Sequence, residues 1–227
     1  MTGQTTTPPP LDMRIMPVTP LRQNCTIISD HTGDAVIVDP GGDVPALLKA
    51  LEGLRVKAIL LTHGHMDHAG GARALAAALA KRQGGPVPIL GPLKAEAPLL
   101  ASVEQQAASC GLEDMENVAP DRYLTDGETL NLLAHPLHVH HVPGHTPGHV
   151  VLHDAHGRKV ITGDTLFKGT VGRSDFAYGD GRQLLQAIRD KLFTLPDETM
   201  VLPGHGMPST IGYEKRHNPF FSRPQGH

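Results

Sequence analysis

Thr62-His63-Gly64-His65-Met66-Asp67-His68 places three imidazoles and one carboxylate within seven consecutive residues. The stretch follows the apolar run 58–61, which predicts a buried strand. It precedes the alanine- and glycine-rich segment 69–75, which predicts the beginning of a helix. The four potential ligands therefore lie on a turn at the carboxyl end of a strand. Loops in that position are held by a rigid scaffold and commonly carry functional residues.

The density of histidines in this turn favours metal binding. An isolated histidine in a loop is usually just solvated, and two histidines one residue apart often share one face of a strand. Three imidazoles and a carboxylate this close would repel one another when the histidines are protonated, and they would be costly to bury without partners. A metal ion resolves both problems, because neutral imidazole and ionised carboxylate are good ligands for zinc, iron and manganese.

Three later stretches add residues of the same chemistry: Gly144-His145-Thr146, Thr162-Gly163-Asp164-Thr165 and Pro203-Gly204-His205-Gly206. With His-x-His-x-Asp-His at 63–68, they resemble, in order, the metal signature of the metallo-β-lactamase fold superfamily. Within that superfamily the chain most resembles the glyoxalase II-like hydroxyacylglutathione hydrolases of the short, single-domain bacterial type. The segments that carry this closer resemblance are 38–42, 143–149, 166–169 and 172–176.

The resemblance implies an α+β fold, an αββα sandwich in which two mixed sheets lie face to face with helices on the outer faces. The sequence pattern agrees with it. Strands and helices alternate between 35 and 91, which favours parallel pairing. Strand-like runs at 130–142, 149–153 and 159–162 predict a second, more antiparallel sheet, and the spacing of apolar residues predicts a helix over 183–192.

The chain of 227 residues is long enough for one sizeable core. The threonine- and proline-rich segment 1–11 is expected to form a flexible tail, and 12–227 a single metallo-β-lactamase-like hydrolase domain. The formal net charge of −3 argues against nucleic acid as a partner. No apolar run reaches the roughly 18–20 residues of a membrane span, and no signal peptide is visible. Cys25 and Cys110 are expected to be free thiols. We therefore expect a cytoplasmic protein without membrane contact, either a monomer or a weak homo-oligomer.

The resemblance also implies a site for two divalent metal ions, zinc most readily, with iron or manganese as alternatives. Six residues would each bind one ion: His63, His65 and His145 the first, and Asp67, His68 and His205 the second. Asp164 would bridge the two ions together with a hydroxide. Two ions about 3.5–4 Å apart lower the pKa of bound water and polarise a carbonyl. Asp67 and Asp164 are thus the predicted catalytic residues, with Asp67 able to accept a proton as the hydroxide reacts.

The expected reaction is hydrolysis of a glutathione thioester such as S-lactoylglutathione. A thiolate leaves readily, because the pKa of a thiol is about 8.5. Full-length glyoxalase II enzymes bind glutathione partly through a helical C-terminal domain, whereas only residues 206–227 follow His205 here. Arg173 is a candidate for binding a substrate carboxylate, although it could equally pair with Asp175. Lys168 and Tyr213 are further candidates for substrate binding.

Two other enzymatic functions stay open at this stage. A persulfide dioxygenase on the same fold would bind a single iron through His63, His145 and Asp164, and segment 172–176 resembles a stretch of those enzymes. A broader thioesterase or lactonase would use the same two-metal site. A non-enzymatic metal-binding protein is a third possibility, which the open metal position disfavours.

Several residues near the ligands have open roles. Asp39 could hydrogen-bond a metal-binding histidine or simply form a turn, and His149 could support the site. Strand alternation puts His138 and His140 on one face and His141 on the other. These three histidines and His135 are expected to be solvated or hydrogen-bonded. His153 is expected to be exposed.

Overall fold

Two β-sheets form the centre of the protein, whose computed structural model describes residues 8–222. The first sheet has five strands in sequential order. They are β1 (Asp12–Val18), β2 (Gln23–Ser29), β3 (Asp34–Val38), β4 (Arg55–Leu60) and β5 (Ile89–Leu90). β1, β2 and β3 pair antiparallel, whereas β3, β4 and β5 pair in parallel as predicted. Parallel neighbours need a crossover connection, and here helices provide it.

Five helices belong to this half of the chain. They are α1 (Val44–Ala50), α2 (Met66–Ala69), α3 (Ala72–Gln83), α4 (Ala97–Leu100) and α5 (Val103–Ser109). α1 connects β3 to β4, and α2 and α3 connect β4 to β5. A 3₁₀ turn, Lys94–Glu96, leads into α4. Segment 92–110 therefore contains α4 and α5.

The second sheet has the strand order β13-β12-β9-β8-β7-β6. Its strands are β6 (Thr129–Leu130), β7 (Leu137–His141), β8 (Val150–Asp154), β9 (Lys159–Gly163), β12 (Met200–Pro203) and β13 (Ser209–Thr210). β9 and β12 are parallel, and the other neighbouring strands are antiparallel. β10 (Leu166–Phe167) and β11 (Thr170–Val171) form a separate hairpin.

The inner core lies between the two sheets. Ile28, Val36 and Leu60 of the first sheet pack in one apolar cluster with Val139 and Leu152 of the second. All five side chains are essentially inaccessible to solvent. Because side chains alternate across a strand, the neighbouring residues of these strands point to the outer faces.

Helices cover those outer faces. On one side Ile37 packs in a cluster with Leu75 of α3, and on the other Val160 packs with Leu184 and Ile188. The layers are thus helix, sheet, sheet, helix, which confirms the predicted αββα sandwich with two mixed sheets. Among residues 8–222, no helix combines the length and apolar character needed to cross a membrane.

The predicted continuous strand 130–142 is wrong in its middle. It divides into β6 and β7, and residues 131–136 form bends and irregular structure. Pro136 explains the break, because proline lacks the N–H that a sheet ladder requires and also restricts the residue before it.

The helix predicted at 183–192 begins earlier and changes character. α6 spans Gly181–Ala187, and a π-helical turn continues over Ile188–Leu192. The side chain of Asp180 accepts hydrogen bonds from the backbone N–H groups of Arg182 and Gln183, so it caps the helix ahead of the predicted start. Later in the chain, α7 spans Ile211–His217 and α8 spans Pro219–Ser222.

The predicted N-terminal tail falls partly outside the described residues. Nothing is described for 1–7, so that part of the tail stays a prediction. Residues 8–11 contact the body, because Leu11 is buried. In addition, His135 Nε2 lies 2.9 Å from the carbonyl oxygen of Pro8 and 3.0 Å from that of Pro9. The packed part of the chain thus begins before residue 12.

Candidate metal centre

The stretches that carry the predicted ligands meet at one edge of the sandwich. The turn between β4 and α2 carries His63, His65, Asp67 and His68, the loop between β7 and β8 carries His145, and the ends of β9 and β12 lead into Asp164 and His205. The carboxyl ends of β4, β9 and β12 therefore converge. The structure brings all seven predicted ligands together in two groups that share one carboxylate.

The first group consists of three imidazoles. Nδ1 of His65 lies 3.1 Å from Nε2 of His63 and 3.1 Å from Nε2 of His145. Oδ2 of Asp164 lies 3.7 Å from the same His145 nitrogen. Four donor atoms thus surround one small volume, which is the arrangement of a tetrahedral or five-coordinate metal site.

The second group combines carboxylates and imidazoles. Oδ2 of Asp67 lies 3.1 Å from Nε2 of His205 and 3.8 Å from Nε2 of His68. Oδ1 of Asp164 lies 3.3 Å from that His68 nitrogen. Oδ2 of Asp164, which faces His145 of the first group, also lies 3.7 Å from Nε2 of His205. The carboxylate of Asp164 therefore faces both groups.

Two atoms of this centre test whether metal ions fit. Nε2 of His68 and Oδ1 of Asp164 are buried and have no hydrogen-bond partner among the described residues. A buried polar atom without a partner costs about 1–3 kcal/mol, and such atoms are rare in folded proteins. A divalent ion between them would satisfy both, and the nitrogen and oxygen donors suit it chemically. The residues present therefore fit the implied pair of metal ions.

Asp39 contacts two of the ligand histidines on the side of their rings that faces away from the centre, His68 directly and His63 through Thr62. Its Oδ2 lies 2.9 Å from Nδ1 of His68 and accepts a hydrogen bond of 2.6 Å from Oγ1 of Thr62. Oγ1 of Thr62 in turn lies 3.0 Å from Nδ1 of His63. Both histidines therefore present Nε2 to the centre, and partners of this kind fix the ring orientation of metal ligands. Of the two roles considered for Asp39, the structure supports hydrogen bonding to a ligand.

The other two histidines of the first group have partners from a distant loop. Nδ1 of His145 lies 2.6 Å from the backbone oxygen of Arg173, and Nε2 of His65 lies 2.8 Å from the hydroxyl of Tyr178. The remaining ring nitrogen of each histidine points to the centre. His149 supports Asp164, the predicted bridging residue, because its Nε2 accepts a hydrogen bond of 3.0 Å from the backbone N–H of Asp164.

Burial and the neighbouring charges set the protonation of the centre. Burial, and then the other imidazoles, hold the pKa of His63 well below its usual range, and burial lowers the pKa of His65 to about 3. Burial opposes ionisation of Asp164, but His68 and the other imidazoles outweigh it and hold the pKa of that carboxyl far below normal. For His68, burial lowers the pKa, whereas Asp164, Asp67 and Asp39 raise it more strongly. Neutral imidazoles and ionised carboxylates are the forms that bind metals. His63, His65 and Asp164 are therefore already in the binding form, whereas His68, whose pKa is raised, has to release a proton when an ion binds.

A cavity of about 360 Å³ opens beside the centre. His65, Asp67, His145 and Asp164 form its floor. One wall contains Gln106, Ser109 and Cys110, from α5 and the residue after it, and the other contains Arg173, Phe176 and Tyr178. The cavity is thus open to the space between the two ligand groups.

The predicted substrate-binding residues have different positions. Arg173 lines the cavity, its guanidinium lies 4.4 Å from the centre of the Phe176 ring, and its Nε donates a hydrogen bond to Asp175. Arg173 therefore both pairs with Asp175 and lies beside the metal centre. Lys168 is exposed between β10 and β11, and Tyr213 stacks on His217 with ring centres 4.5 Å apart. Neither lines this cavity, so their roles stay predictions.

The sequence interpretation missed several residues around the centre, namely Glu96, Gln106, Phe176 and Tyr178. Glu96, Gln106 and Tyr178 lie outside every motif, and Phe176 lies in segment 172–176, where it was used for the resemblance and not for the site. For Glu96 the one available signal was indirect. Gly64 lies between two predicted ligands and Gly148 lies in the loop of His145, and a glycine there can indicate a close approach of another segment.

The comparisons with known proteins agree with this architecture. A family model described as the metallo-beta-lactamase superfamily matches residues 18–205. The chain belongs to the metallo-β-lactamase superfamily. This membership confirms the resemblance on which the predicted fold rests.

One curated relative and two solved structures illustrate what this chain is similar to. The hydroxyacylglutathione hydrolase GloC of Haemophilus influenzae is 40% identical over 215 residues, which cover 93% of this chain and 99% of GloC. The structure of the B3 metallo-β-lactamase BLEG-1 has a TM-score of 0.84 at 33% identity, covering 93% of this chain and 100% of BLEG-1. TTHA1623 in a di-iron-bound form has a TM-score of 0.80 at 36% identity, covering 91% and 99%. The glyoxalase II-like resemblance is thus supported over nearly the whole chain, and so is an enzyme of the metallo-hydrolase type.

Proposed function

We propose that the protein is a binuclear metal-dependent hydrolase that cleaves glutathione thioesters such as S-lactoylglutathione. The observation that carries the proposal is the shared carboxylate of Asp164, which has one oxygen 3.3 Å from His68 Nε2 and the other 3.7 Å from His145 Nε2. One side chain thus faces both ligand groups beside an open cavity. The 40% identity to GloC, which is named a hydroxyacylglutathione hydrolase, supports a thioester as the substrate.

The residues that would hold the metal ions are the seven already described. His63, His65 and His145 would hold one ion, Asp67, His68 and His205 the other, and Asp164 both. Bound there, divalent ions supply an activated water nucleophile and polarise the carbonyl of the substrate. We propose zinc first, with iron or manganese as alternatives, because imidazole and carboxylate donors suit all three. The relative TTHA1623 has been solved in a di-iron-bound form, so metal analysis of the purified protein is needed.

Asp67 has a second proposed role as a proton acceptor. It lines the cavity floor. Burial opposes its ionisation, but His68 and the hydrogen bond with His205 hold the pKa of the carboxyl below its usual range. An ionised oxygen at this position can take the proton of the attacking water, whereas Asp164, between both groups, is held in its ligand role.

The cavity walls supply the features that a thioester of an anionic thiol needs. Arg173 can bind a carboxylate of the thiol carrier. Phe176 and Tyr178 stack with ring centres 5.2 Å apart, and this apolar wall limits the access of water beside the reacting carbon. The thiolate leaves without a strong acid because the pKa of a thiol is about 8.5. The substrate is therefore a small molecule, and we propose no nucleic acid or membrane partner.

The test is loss of thioester absorbance from S-lactoylglutathione, measured with protein of known metal content. A variant with His205→Ala, which removes one ligand of the second group, serves as the comparison. We expect rapid hydrolysis by the wild type and at least a hundredfold loss in the variant. Equal rates in the two proteins would contradict the two-metal proposal.

The alternative of a one-iron persulfide dioxygenase is tested beside it. That enzyme would need His63, His145 and Asp164 but not His205. Oxygen uptake with glutathione persulfide, one iron per chain and no thioester hydrolysis would replace the hydrolase proposal. No activity in either assay would contradict the proposal of a glutathione-derived substrate. Other thioesters and lactones would then be tested. The cytoplasmic location and the weak or absent self-association stay proposals.

A further inference from the structure

Glu96 is a fully buried carboxylate that the proposed reaction does not use. It ends the 3₁₀ turn before α4 and is 0% exposed. Its Oε2 accepts a hydrogen bond of 2.8 Å from the backbone N–H of Gly64, and its Oε1 accepts one of 2.6 Å from that of Gly148. Gly64 lies between His63 and His65, and Gly148 lies in the loop that carries His145. One side chain thus joins the two loops that supply all three imidazoles of the first group.

The two loops press closely against this turn. A Cβ atom at Gly64 would lie 2.7 Å from Cβ of Leu99, and one at Gly148 would lie 2.9 Å from Cγ of Glu96. Real Cβ atoms essentially never approach other atoms this closely. Glycine at both positions therefore lets the backbone reach the carboxylate.

Gln106 of α5 completes the attachment of the first loop. Its Nε2 donates a hydrogen bond of 3.1 Å to the carbonyl of Gly64, and its Oε1 accepts one of 3.1 Å from the N–H of Met66. Both polar groups of Gly64 thus have side-chain partners from the same helical segment. The segment over 94–109 therefore contacts the ligand loop directly.

Stability alone is a weak reason for such a carboxylate. Among residues 8–222, no lysine, arginine or histidine forms an ion pair with Glu96. Burial raises the pKa of the group, and the two N–H donors, together with the side chain of Thr146 and the charge of His141, offset this only in part. Burying an unpaired carboxylate is costly. The arrangement instead fixes the distance between two ligand loops that are far apart in sequence. Gly148 is 52 residues from Glu96, and Gly64 is 32 residues from it.

We propose that Glu96 is a positioning residue for the first metal group, because it fixes His63 and His65 relative to His145. The inference concerns the geometry of the metal centre and does not depend on which substrate is hydrolysed. The proposal is therefore tested by measuring metal binding rather than catalytic activity.

The experiment compares Glu96→Gln with the wild type by titrating metal-free protein with Co²⁺ and Zn²⁺. Gln keeps the size of the side chain but turns one acceptor into a donor that faces a backbone N–H. Glu104→Gln is the matched control, because Glu104 on α5 also accepts a backbone N–H, from Asn117, at an exposed position away from the ligands. Each substitution is made in two backgrounds. His205→Ala removes a ligand of the second group, so that metal binding at the first group is measured. His145→Ala removes a ligand of the first group, so that binding at the second is measured.

In the His205→Ala background, we expect Glu96→Gln to weaken Co²⁺ and Zn²⁺ binding about 10–100-fold, the usual effect of losing a partner behind the ligands. The visible absorption of bound Co²⁺ should also change in intensity. In the His145→Ala background the dissociation constant should change less than about threefold, and Glu104→Gln should resemble its parent in both.

Unchanged affinity and an unchanged Co²⁺ spectrum at the first group would overturn the proposal. Equal weakening at both groups would also overturn it, because that result indicates a general loss of structure. Glu96→Asp covers the case in which the glutamine variant does not fold. Folded aspartate protein with selectively weakened first-group binding supports the proposal, and failure of both variants to fold overturns it in favour of a purely structural role.

Discussion

The hydroxyl of Tyr178 lies 2.8 Å from Nε2 of His65, and 113 positions of sequence separate the two residues. His63 and His68 have buried partners, Thr62 and Asp39, whereas His65 and His145 have partners in the cavity wall. For His145 the partner is the backbone oxygen of Arg173, and for His65 it is a side chain on a residue that is 39% exposed. His65 is thus the ligand of the first metal group that is supported by a side chain facing the substrate space.

Replacing Tyr178 with Phe should loosen this ligand without opening a hole in the wall. We expect the first metal ion to bind about tenfold more weakly, because the ring of His65 loses the partner that orients it. Chelator competition on the purified variant measures this. Tyr123→Phe is the control, since Tyr123 packs against the outer core and does not line the cavity. Equal affinity for metal in the two variants would contradict the role of the hydroxyl.

Asp39→Asn should affect the second metal group and the fold together. Asp39 has a positive φ of 53°, which asparagine tolerates, so the backbone can stay in place. The amide keeps one oxygen. Either the backbone N–H of Thr62 loses its acceptor, or Oγ1 of Thr62 and Nδ1 of His68 both lose theirs. We expect metal affinity at the second group to fall about 10–100-fold and the free energy of unfolding to fall by about 1–3 kcal/mol.

Asp43→Asn is the matched control for that change. Asp43 also has a positive φ, of 51°, and accepts a backbone N–H from Thr19, but it is exposed and contacts no ligand. Urea unfolding and metal titration of both variants separate the two effects. Similar losses in the two proteins would point to the backbone conformation rather than to the hydrogen bond with His68.

Four of the ligands could be predicted because metal binding needs a few residue types in a dense local pattern, and these four lie in the single turn 63–68. The other three ligands, which follow glycine, and the sandwich of two mixed sheets were predicted from the family resemblance. The parallel pairing in the first sheet could be predicted because alternation of strand and helix implies crossovers. Local patterns of this kind are independent of how the chain folds elsewhere.

The supports behind the ligands could not be predicted, because they arise from tertiary packing. Glu96 and Tyr178 are ordinary residues in segments without a motif, and only the folded chain brings them to Gly64 and His65. His153 illustrates the same limit, since it was expected to be exposed and is only 9% exposed. Strand alternation tells which residues share a face but not how closely the neighbouring strand covers that face.

Arg173→Ala tests whether the guanidinium binds substrate. If it binds a carboxylate of glutathione equally in the ground state and the transition state, KM should rise about tenfold with little change in kcat. The hydrogen bond from His145 should survive, because it is made to the backbone oxygen of Arg173. A thioester whose thiol lacks a carboxylate is the control substrate and should react equally with both proteins.

Asp175→Asn tests whether the hydrogen bond between Arg173 and Asp175 competes with substrate binding by Arg173. Asp175 holds the Arg173 side chain through a hydrogen bond at the surface, so its removal frees the guanidinium. We expect KM for S-lactoylglutathione to fall or stay the same in this variant. A rise in KM would instead mean that Asp175 holds Arg173 in the orientation needed for binding.

A histidine cluster away from the metal centre predicts a pH dependence of stability. His153 on β8 lies near His140 and His138 on β7, with ring centres 5.8 and 6.2 Å away, beside Asp154. Burial, and then His140 and His138, lower the pKa of His153 to about 4. Burial, and then Lys191, also lower the pKa of His140, whereas Asp126 opposes the shift.

The sign of the effect follows from proton binding. Between the unfolded pKa of about 6.5 and the folded value, the unfolded chain holds a proton at His153 that the folded chain lacks, so stability falls as pH decreases through this window. His153→Asn should remove on the order of 1–3 kcal/mol of the difference in unfolding free energy between pH 7 and pH 4. Urea unfolding of metal-free protein at both pH values measures it, and His31→Asn, at an exposed turn, is the control. If both variants retain the full wild-type difference, folding does not lower the pKa of His153, and this residue does not contribute to the pH dependence.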